Sequence, residues 1–153
     1  SVWRDWCRCW VNYLRKIKKL KPQQTLVILD IDNFKDINDN YGHQLGDSCL
    51  CIVSQAVKST FGNYGHCYRI GGDEFAVILR KESKVQSLIT RFERNFADKT
   101  KELSYQVNVS IGYAKYEIND TVESVVQCAD LNMYNNKKAK KALKATLETT
   151  VKK

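Results

Sequence analysis

The feature that most constrains the fold is a continuous apolar run, TLVIL, at residues 25–29. A short run without apolar and polar alternation is typical of a strand that is covered on both faces. Acidic residues follow at once, in the stretch DIDNFKDINDNYGHQLGD at residues 30–47. Carboxylates at the end of a central strand face an open crevice from a rigid support, so this junction is a candidate site.

A second informative stretch is YRIGGDEFAVIL at residues 68–79, where two glycines and two acids precede an apolar run. We interpret residues 67–70 and 75–79 as strands joined through Gly71 and Gly72, whose missing side chains permit a positive φ. If this hairpin lies beside the TLVIL strand, Asp73 and Glu74 lie near Asp30. The sequence therefore predicts that carboxylates from neighbouring strands converge.

Apolar residues at helical spacing predict four helices. The first contains Cys7, Trp10, Val11, Leu14 and Ile17; the second Leu45, Cys49, Ile52, Val53 and Ala56; the third Val85, Leu88, Ile89, Phe92 and Phe96; the fourth Val122, Val125, Val126, Ala129 and Met133. The first helix is expected to end near residues 19–21, before Pro22, and Asp120 with Glu123 to cap the fourth.

Alternation of apolar and polar residues predicts a further strand from Tyr105 to Ile111. The predicted order is helix, strand, helix, strand, hairpin strand, helix, strand, helix. This order indicates an α/β (α+β) sandwich with a mixed central sheet flanked by helices, close to the ferredoxin-like plan.

Length and charge favour one domain that does not bind nucleic acid. With 153 residues, 43% of them hydrophobic, the chain can bury one core, so we expect a single domain over residues 1–153. The positive charge is concentrated at the two ends of the chain: a basic helix at residues 1–21, and residues 137–153, which include a basic tail from 142. Each end carries a net charge of +6, so the total of +8 leaves −4 for the residues in between. A duplex-binding face on the core is therefore not expected.

Neither a membrane span nor a signal peptide is recognisable, so we expect a cytoplasmic domain, within a parent protein that has room for a membrane anchor elsewhere. The six cysteines include two C-x-C pairs but no C-x-x-C, and there are only two histidines. This pattern gives a zinc site little support and favours reduced, mostly buried cysteines.

The predicted carboxylate cluster indicates a metal-dependent phosphate site. Like charges a few ångströms apart raise one another's pKa unless a cation neutralises them. Oxygen ligands without His or Cys favour Mg²⁺ or Mn²⁺, and Lys35 is a nearby phosphate cation. Taken alone, GGDE is equally consistent with a solvated turn, and DIDNFKDIND with the exposed start of a helix. Their joint attachment to buried strands favours the site.

Four motifs in order resemble the GGDEF domain, the diguanylate cyclase family: DIDNFKDINDNYGHQLGD, RIGGDEF, VNVSIGYA and CADLNMYNNKKAKK, within residues 25–141. The resemblance implies a palm-type fold like that of nucleotidyl cyclases. It also implies that two GTP molecules condense into cyclic di-GMP and pyrophosphate, with two Mg²⁺ or Mn²⁺ ions in each active site and a homodimer for turnover.

The resemblance also assigns roles to residues. It implies metal ligands at Asp30, the Ile31 carbonyl, Asp73 and Glu74, with Glu74 as a ligand or as the group that deprotonates the hydroxyl. Among the GTP-binding residues, Asn38 and Asp47 match the guanine-contacting pair; amides at Asn33, Phe34 and Lys35 would surround the phosphates; Lys35, Lys137 and Lys141 would pair with them. By contrast, Ile37, Tyr41, Phe75, Asp130, Tyr134 and the Phe34 ring are expected to be structural, and Gly42-His43 to shape a turn.

Several positions depart from the family pattern. The opening Leu-Thr-x-Leu-x-Asn-Arg motif is not recognisable in SVWRDWCRCW, and Lys141 replaces an arginine. Residues 62–65 are GNYG where many members have Arg-x-x-Asp, so we expect no product inhibition through that site. A regulatory module that binds GTP or a cyclic dinucleotide with weak catalysis is the alternative function. An adenine product is disfavoured by Asp47, and a sensor or regulatory domain is expected outside this chain.

Overall fold

A computed structural model describes the backbone of residues 2–152 and the side chains of residues 9–152, so the predicted role of Cys7 in the first helix lies outside the described side chains. The helices are α1 (Val2–Ile17), α2 (Phe34–Tyr41), α3 (His43–Phe61), α4 (Val85–Thr100) and α5 (Val122–Val151). The strands are β1 (Thr25–Ile31), β2 (Gly65–Arg69), β3 (Glu74–Leu79) and β4 (Val109–Lys115). The element order is the predicted one, with α2 as an additional helix.

The four strands form one sheet in the order β2-β3-β1-β4, and every neighbouring pair is antiparallel. The predicted α/β fold, a central sheet flanked by helices, is confirmed, but the expectation of a mixed sheet was wrong. β1 and β2 do run in the same direction, yet β3 lies between them, so no parallel pair forms. This strand order places β1, which carries the acids, in the interior of the sheet.

Strand β1 is covered on both faces, as its continuous apolar run predicted. Val27 and Leu29 belong to the core under α3 and α4, whereas Leu26 and Ile28 belong to the core under α1 and α5. All of these side chains are at most 1% exposed. Because alternate residues pack into two separate cores, β1 is a rigid support for the acid at position 30.

Helix α1 buries Ile17 of its predicted apolar series, but the other described members of that series are exposed. Tyr13 and Ile17 are buried against the sheet, whereas Trp10, Val11 and Leu14 are exposed. The Tyr13 ring meets Tyr68 of β2 edge-on, with ring centroids 5.8 Å apart. Since Tyr13 and Ile17 are one helical turn apart, they form the stripe that anchors α1.

Two sequence-predicted boundaries differ near the end of the chain. Strand β4 begins at Val109 rather than Tyr105, because its pairing with β1 runs from Ile31 opposite Val109 to Thr25 opposite Lys115. Helix α5 is capped by Thr121, not by Asp120 with Glu123; the Thr121 and Ser124 side chains each accept from the other's backbone N–H at 3.1 Å. The Asp120 carboxylate instead accepts from the Glu117 N–H. Helix α5 continues through the basic segment predicted from residue 142.

Side chains of α5 cover the outer edge of β4. Asn132 Nδ2 donates to the Tyr113 carbonyl at 2.9 Å, the Ile111 N–H donates to Asn136 Oδ1 at 3.0 Å, and Lys140 donates to the Val109 carbonyl. Four helical residues rise about 6 Å and two strand residues about 6.6 Å, so the two series stay in register. This ladder satisfies an otherwise open strand edge and fixes α5 above β1.

The glycines of the predicted hairpin turn have a different role from the expected one. Neither Gly71 nor Gly72 has a positive φ; among the glycines of residues 2–152, only Gly42 does, at 87°, between α2 and α3. The Arg69 guanidinium holds the turn by donating to the carbonyls of both glycines, at 3.2 and 2.7 Å. A side chain at position 71 would press on Glu74 Cβ, 3.2 Å away. Gly71 therefore leaves room for Glu74.

No helix within residues 2–152 is both long enough and apolar enough to cross a membrane. The cysteines whose side chains are described, Cys9, Cys49, Cys51, Cys67 and Cys128, are all free. Only Cys49 is fully buried, and burial raises the pKa of its thiol to about 11.

Candidate functional site

Antiparallel pairing of β1 and β3 brings the predicted acids together. Asp30 lies directly opposite Glu74 in the register. The Ile31 N–H donates to the Asp73 carbonyl at 3.0 Å, which holds the turn residue against the end of β1. The arrangement expected from the two motifs is therefore present: Asp30, Asp73 and Glu74 lie at one end of the two central strands.

Asp73 and Glu74 of this cluster resist ionisation. Burial, and then the charge of Asp30, raises the pKa of Asp73. Burial, followed by the charges of Asp130, Asp30 and Asp73, raises the pKa of Glu74 to about 6. The cluster thus has an excess of negative charge in a partly desolvated place, which is the electrostatic condition under which a cation binds.

Lys137 of α5 is the protein's own cation at this cluster. Its Nζ donates to Asp30 Oδ2 at 2.7 Å and lies 3.9 Å from Asp32 Oδ1. Burial lowers the pKa of Lys137, but the hydrogen bond and the charge of Asp30 outweigh it, so the pKa is raised. The Ser110 hydroxyl donates to the other contact of the lysine, Asp32 Oδ1, at 2.6 Å. Lys137, predicted to meet phosphates, here pairs with the acids.

The donor set suits a magnesium-type ion that takes part of its shell from a substrate. The described part of the chain contains no group of three or more His, Cys, Asp or Glu side chains arranged to hold a metal by itself. Mg²⁺ is usually bound through one or two carboxylates, with water and substrate phosphates as its other ligands. Asp30 and Asp73, with the nearby Ile31 carbonyl, fit that pattern because they offer only oxygen donors.

The turn from β1 to α2 presents backbone amides beside the acids. Asn33 adopts a left-handed conformation, with φ 54° and ψ 37°, and occupies the position that caps α2. Lys35 is exposed in the first turn of that helix, and Phe34 packs partly against the core. The N-terminal amides of a helix favour anions, so the predicted phosphate-binding residues lie at a suitable place.

A cavity of about 360 Å³ lies between this turn and α5. Asn33 lines one side, and Lys137, Lys140, Lys141 and Lys144 line the other. The structure therefore brings together three of the residues predicted to bind phosphate, Asn33, Lys137 and Lys141. The sequence interpretation missed Lys140 and Lys144, although their helical spacing from Lys137 and Lys141 was a usable signal.

The predicted guanine-contacting pair flanks the break between α2 and α3, where Asn38 lies against the residue that precedes Asp47. The amide of Asn38 lies so close to Gly46 that any side chain at position 46 would displace it. Asp47 follows Gly46 on α3 and is exposed. The positive φ of Gly42 makes this arrangement possible, as the predicted turn at Gly42-His43 implied.

Residues predicted to be structural divide into two groups. Ile37 and Phe75 are buried, with 5% and 3% of their surface exposed. Tyr41 and Tyr134 are about half exposed, although the Tyr41 ring lies tilted against Tyr105 and Lys138 lies over the Tyr134 ring. Of these four residues, Ile37 and Phe75 are therefore core packing residues, as predicted, whereas Tyr41 and Tyr134 are largely at the surface.

Two residues near Glu74 were not found from sequence as parts of the site. Tyr13 of α1 lies close enough that burial, Asp130 and Glu74 raise its pKa to about 12. Asp130 of α5 contributes its charge to Glu74 from the other side. No local motif marks Tyr13, because only the docking of α1 brings it near the acids.

Comparisons with known proteins point to one family. The family model described as "Diguanylate cyclase, GGDEF domain" matches residues 12–142. Diguanylate cyclase DgcN of Escherichia coli K12 is 35% identical over 85% of this chain, and diguanylate cyclase DosC of the same strain is 34% identical over 72%. The chain spans 33% and 25% of the lengths of these two relatives.

Solved structures show the same fold. The active GGEEF domain of a diguanylate cyclase from Vibrio cholerae is 26% identical, with a TM-score of 0.70 and 89% of each chain covered. The GGDEF domain of DgcB from Caulobacter crescentus, solved in complex with c-di-GMP, is 26% identical with a TM-score of 0.68, covering 84% of this chain and 80% of that one. With its motifs, its sheet and its family match in agreement, this chain belongs to the GGDEF domain family.

Proposed function

We propose that this domain is a diguanylate cyclase, which condenses two GTP molecules into cyclic di-GMP and two pyrophosphates. The observation that carries the proposal is the position of Lys137, which binds Asp30 and also lines the lysine-rich cavity. A nucleotide whose polyphosphate occupies that cavity has its α-phosphate next to the carboxylates. The relatives named as diguanylate cyclases support the same reaction.

Two Mg²⁺ or Mn²⁺ ions would be held by Asp30, Asp73, Glu74 and the Ile31 carbonyl, and would supply Lewis acidity to phosphoryl transfer. Glu74 lies opposite Asp30. Where it acts as the base rather than as a ligand, its carboxylate accepts the proton of the 3′-hydroxyl. The hydroxyl oxygen then bonds to the α-phosphorus of the other GTP, and the bond from that phosphorus to pyrophosphate breaks. The same transfer in the opposite direction closes the ring and releases the second pyrophosphate.

Binding uses groups of the β1–α2 turn and of α5, of which Asn33, Lys137 and Lys141 line the cavity. The amides of residues 33–35 and the ammonium groups of Lys35, Lys137 and Lys141 hold the β- and γ-phosphates. Asp47 accepts hydrogen bonds from guanine N1 and N2, which adenine does not offer, and Asn38 contacts the same base edge. Because one domain binds one GTP, turnover requires two copies that face each other.

The test is to incubate the domain with Mg²⁺ and GTP, or with ATP, and to identify the product by mass. We expect cyclic di-GMP from GTP alone, a rate per domain that rises with protein concentration, and no product from Asp73→Ala. GTP binding without any product would instead favour the regulatory alternative, and a mixed or adenine product would contradict the role of Asp47.

A further inference from the structure

The lysines of the cavity are not equivalent. Lys137 is paired with Asp30 and Asp32, and Lys140 donates to the Val109 carbonyl, so the β-sheet already holds both of them. Among the described side chains, Lys141 and Lys144 make neither an ion pair nor a hydrogen bond. Lys141 and Lys144 therefore differ from the other two lysines, because a ligand can bind their ammonium groups without competing with a described protein partner.

The cavity lysines form a stripe along α5. Positions 137, 141 and 144 follow helical spacing and share one face. At a rise of about 1.5 Å per residue, Lys144 lies about 10 Å along the helix from Lys137. The stripe begins at the carboxylates and runs away from them, which is the direction in which a polyphosphate extends from a reacting α-phosphate.

The remaining lining sets the limits of this anion site. Gln106 and Asn108 add neutral amides beside Asn33. Asp32 is the only acid among the described residues that line the cavity; it is already bound by Ser110 and faces Lys137. Beyond Lys144 the lining becomes apolar, with Leu147 at the last position on α5. The charged part of the cavity thus ends at Lys144.

We propose that Lys144 binds the terminal phosphate of the nucleotide and, together with Lys141, makes the site selective for triphosphates over diphosphates and monophosphates. This inference rests on the proposed function, since it takes GTP as the ligand. It also bears on Lys141, which stands where the family pattern has an arginine. A lysine lacks the bidentate fork of an arginine, and a second lysine one turn later restores a second point of contact.

The experiment measures the affinities of GTP, GDP and GMP by calorimetry with Mg²⁺ present, for the unmodified domain and for Lys144→Ala. Lys138→Ala is the matched control, because Lys138 is an exposed lysine of α5 that lies over Tyr134 outside the cavity. We expect Lys144→Ala to weaken GTP binding about tenfold, the scale of one charge-assisted hydrogen bond, and to leave GMP unchanged. Lys138→Ala should change neither, and Lys144→Arg should retain GTP binding.

Equal weakening by Lys138→Ala, or equal weakening of GTP and GMP binding by Lys144→Ala, would overturn the inference in favour of a general charge effect. Unchanged GTP binding by Lys144→Ala, in a domain that still forms cyclic di-GMP, would overturn it and leave the proposed function standing. Binding of inorganic triphosphate tests the inference about Lys144 separately from the proposed cyclase function. If it binds and Lys144→Ala weakens it while GTP yields no product, the polyphosphate site is supported and the cyclase proposal fails.

Discussion

The acidic and basic halves of the site are built in opposite ways. The acids lie at the ends of two buried central strands, and the pKa values of Asp73 and Glu74 are raised by burial and by neighbouring acids. The lysines lie on one helix, and Lys141 and Lys144 are exposed to solvent. Lys137 alone belongs to both halves.

The difference shows where repulsion between like charges lowers the stability of the fold. Placing like charges in a partly desolvated position lowers stability, and only a rigid support keeps them there. Exposed lysines have little effect on folding stability, because water solvates their charges and their long side chains can move apart. Substitutions in the acidic half should therefore change both turnover and stability, whereas those in the basic half should mainly change binding.

The largest effect is expected from Asp30→Asn. Loss of this carboxylate removes a proposed metal ligand, so cyclase turnover should fall on the order of 10³-fold. It also breaks the ion pair with Lys137, so thermal unfolding should shift down by about 2–4 °C. Asp98→Asn, on the exposed surface of α4, is the control. Substantial activity in Asp30→Asn would show that the chemistry lies elsewhere.

Lys137→Ala tests the residue that joins the two halves. It leaves the acids without their cation and removes a phosphate contact, so turnover should fall roughly tenfold to a hundredfold. Lys137→Arg should recover part of the loss, whereas the exposed Lys138→Ala should resemble the unmodified domain. The measurements are steady-state rates at saturating GTP, with melting curves to check that each variant is folded. An unchanged rate in Lys137→Ala would show that Lys137 does not contribute to turnover.

Gly46→Ala tests the guanine-contacting pair without touching either member. The new methyl group would displace the Asn38 amide, so we expect KM for GTP to rise about tenfold while kcat changes little. Ser48→Ala, on the same turn of α3, is the control. A KM like that of the unmodified domain would mean that Asn38 does not need its present position.

The smallest effect concerns the side-chain ladder at the edge of β4. Asn136→Ala leaves the Ile111 N–H without its acceptor, and we expect a loss of about 1 kcal/mol in the free energy of unfolding. Asn135→Ala, an exposed neighbour on α5, should cost less. Urea denaturation of the two variants measures the difference, and equal values would indicate that water replaces the Asn136 contact.

Sequence patterns predicted the acidic half well and the basic half only in part. The run TLVIL and the GGDEF turn revealed two buried strands, one followed by acids and the other preceded by them. Antiparallel pairing of these strands then places Asp30 opposite Glu74. Lys144 and the ladder of Asn132, Asn136 and Lys140 depend on how α5 docks against β4, which no local pattern specifies. Tyr13 was missed for the same reason, since its importance comes from the docking of α1.

The most direct test of the electrostatic account is the melting temperature of Asp73→Asn, measured in the presence of EDTA alongside its cyclase rate with Mg²⁺. Asp73 is a half-buried acid with a raised pKa beside Asp30, and Lys137 bonds to Asp30 rather than to Asp73. A neutral amide at position 73 should therefore abolish turnover yet raise the melting temperature by about 2–4 °C. A lower melting temperature, or a rate that survives the substitution, would contradict the claim that function keeps this repulsive cluster in place.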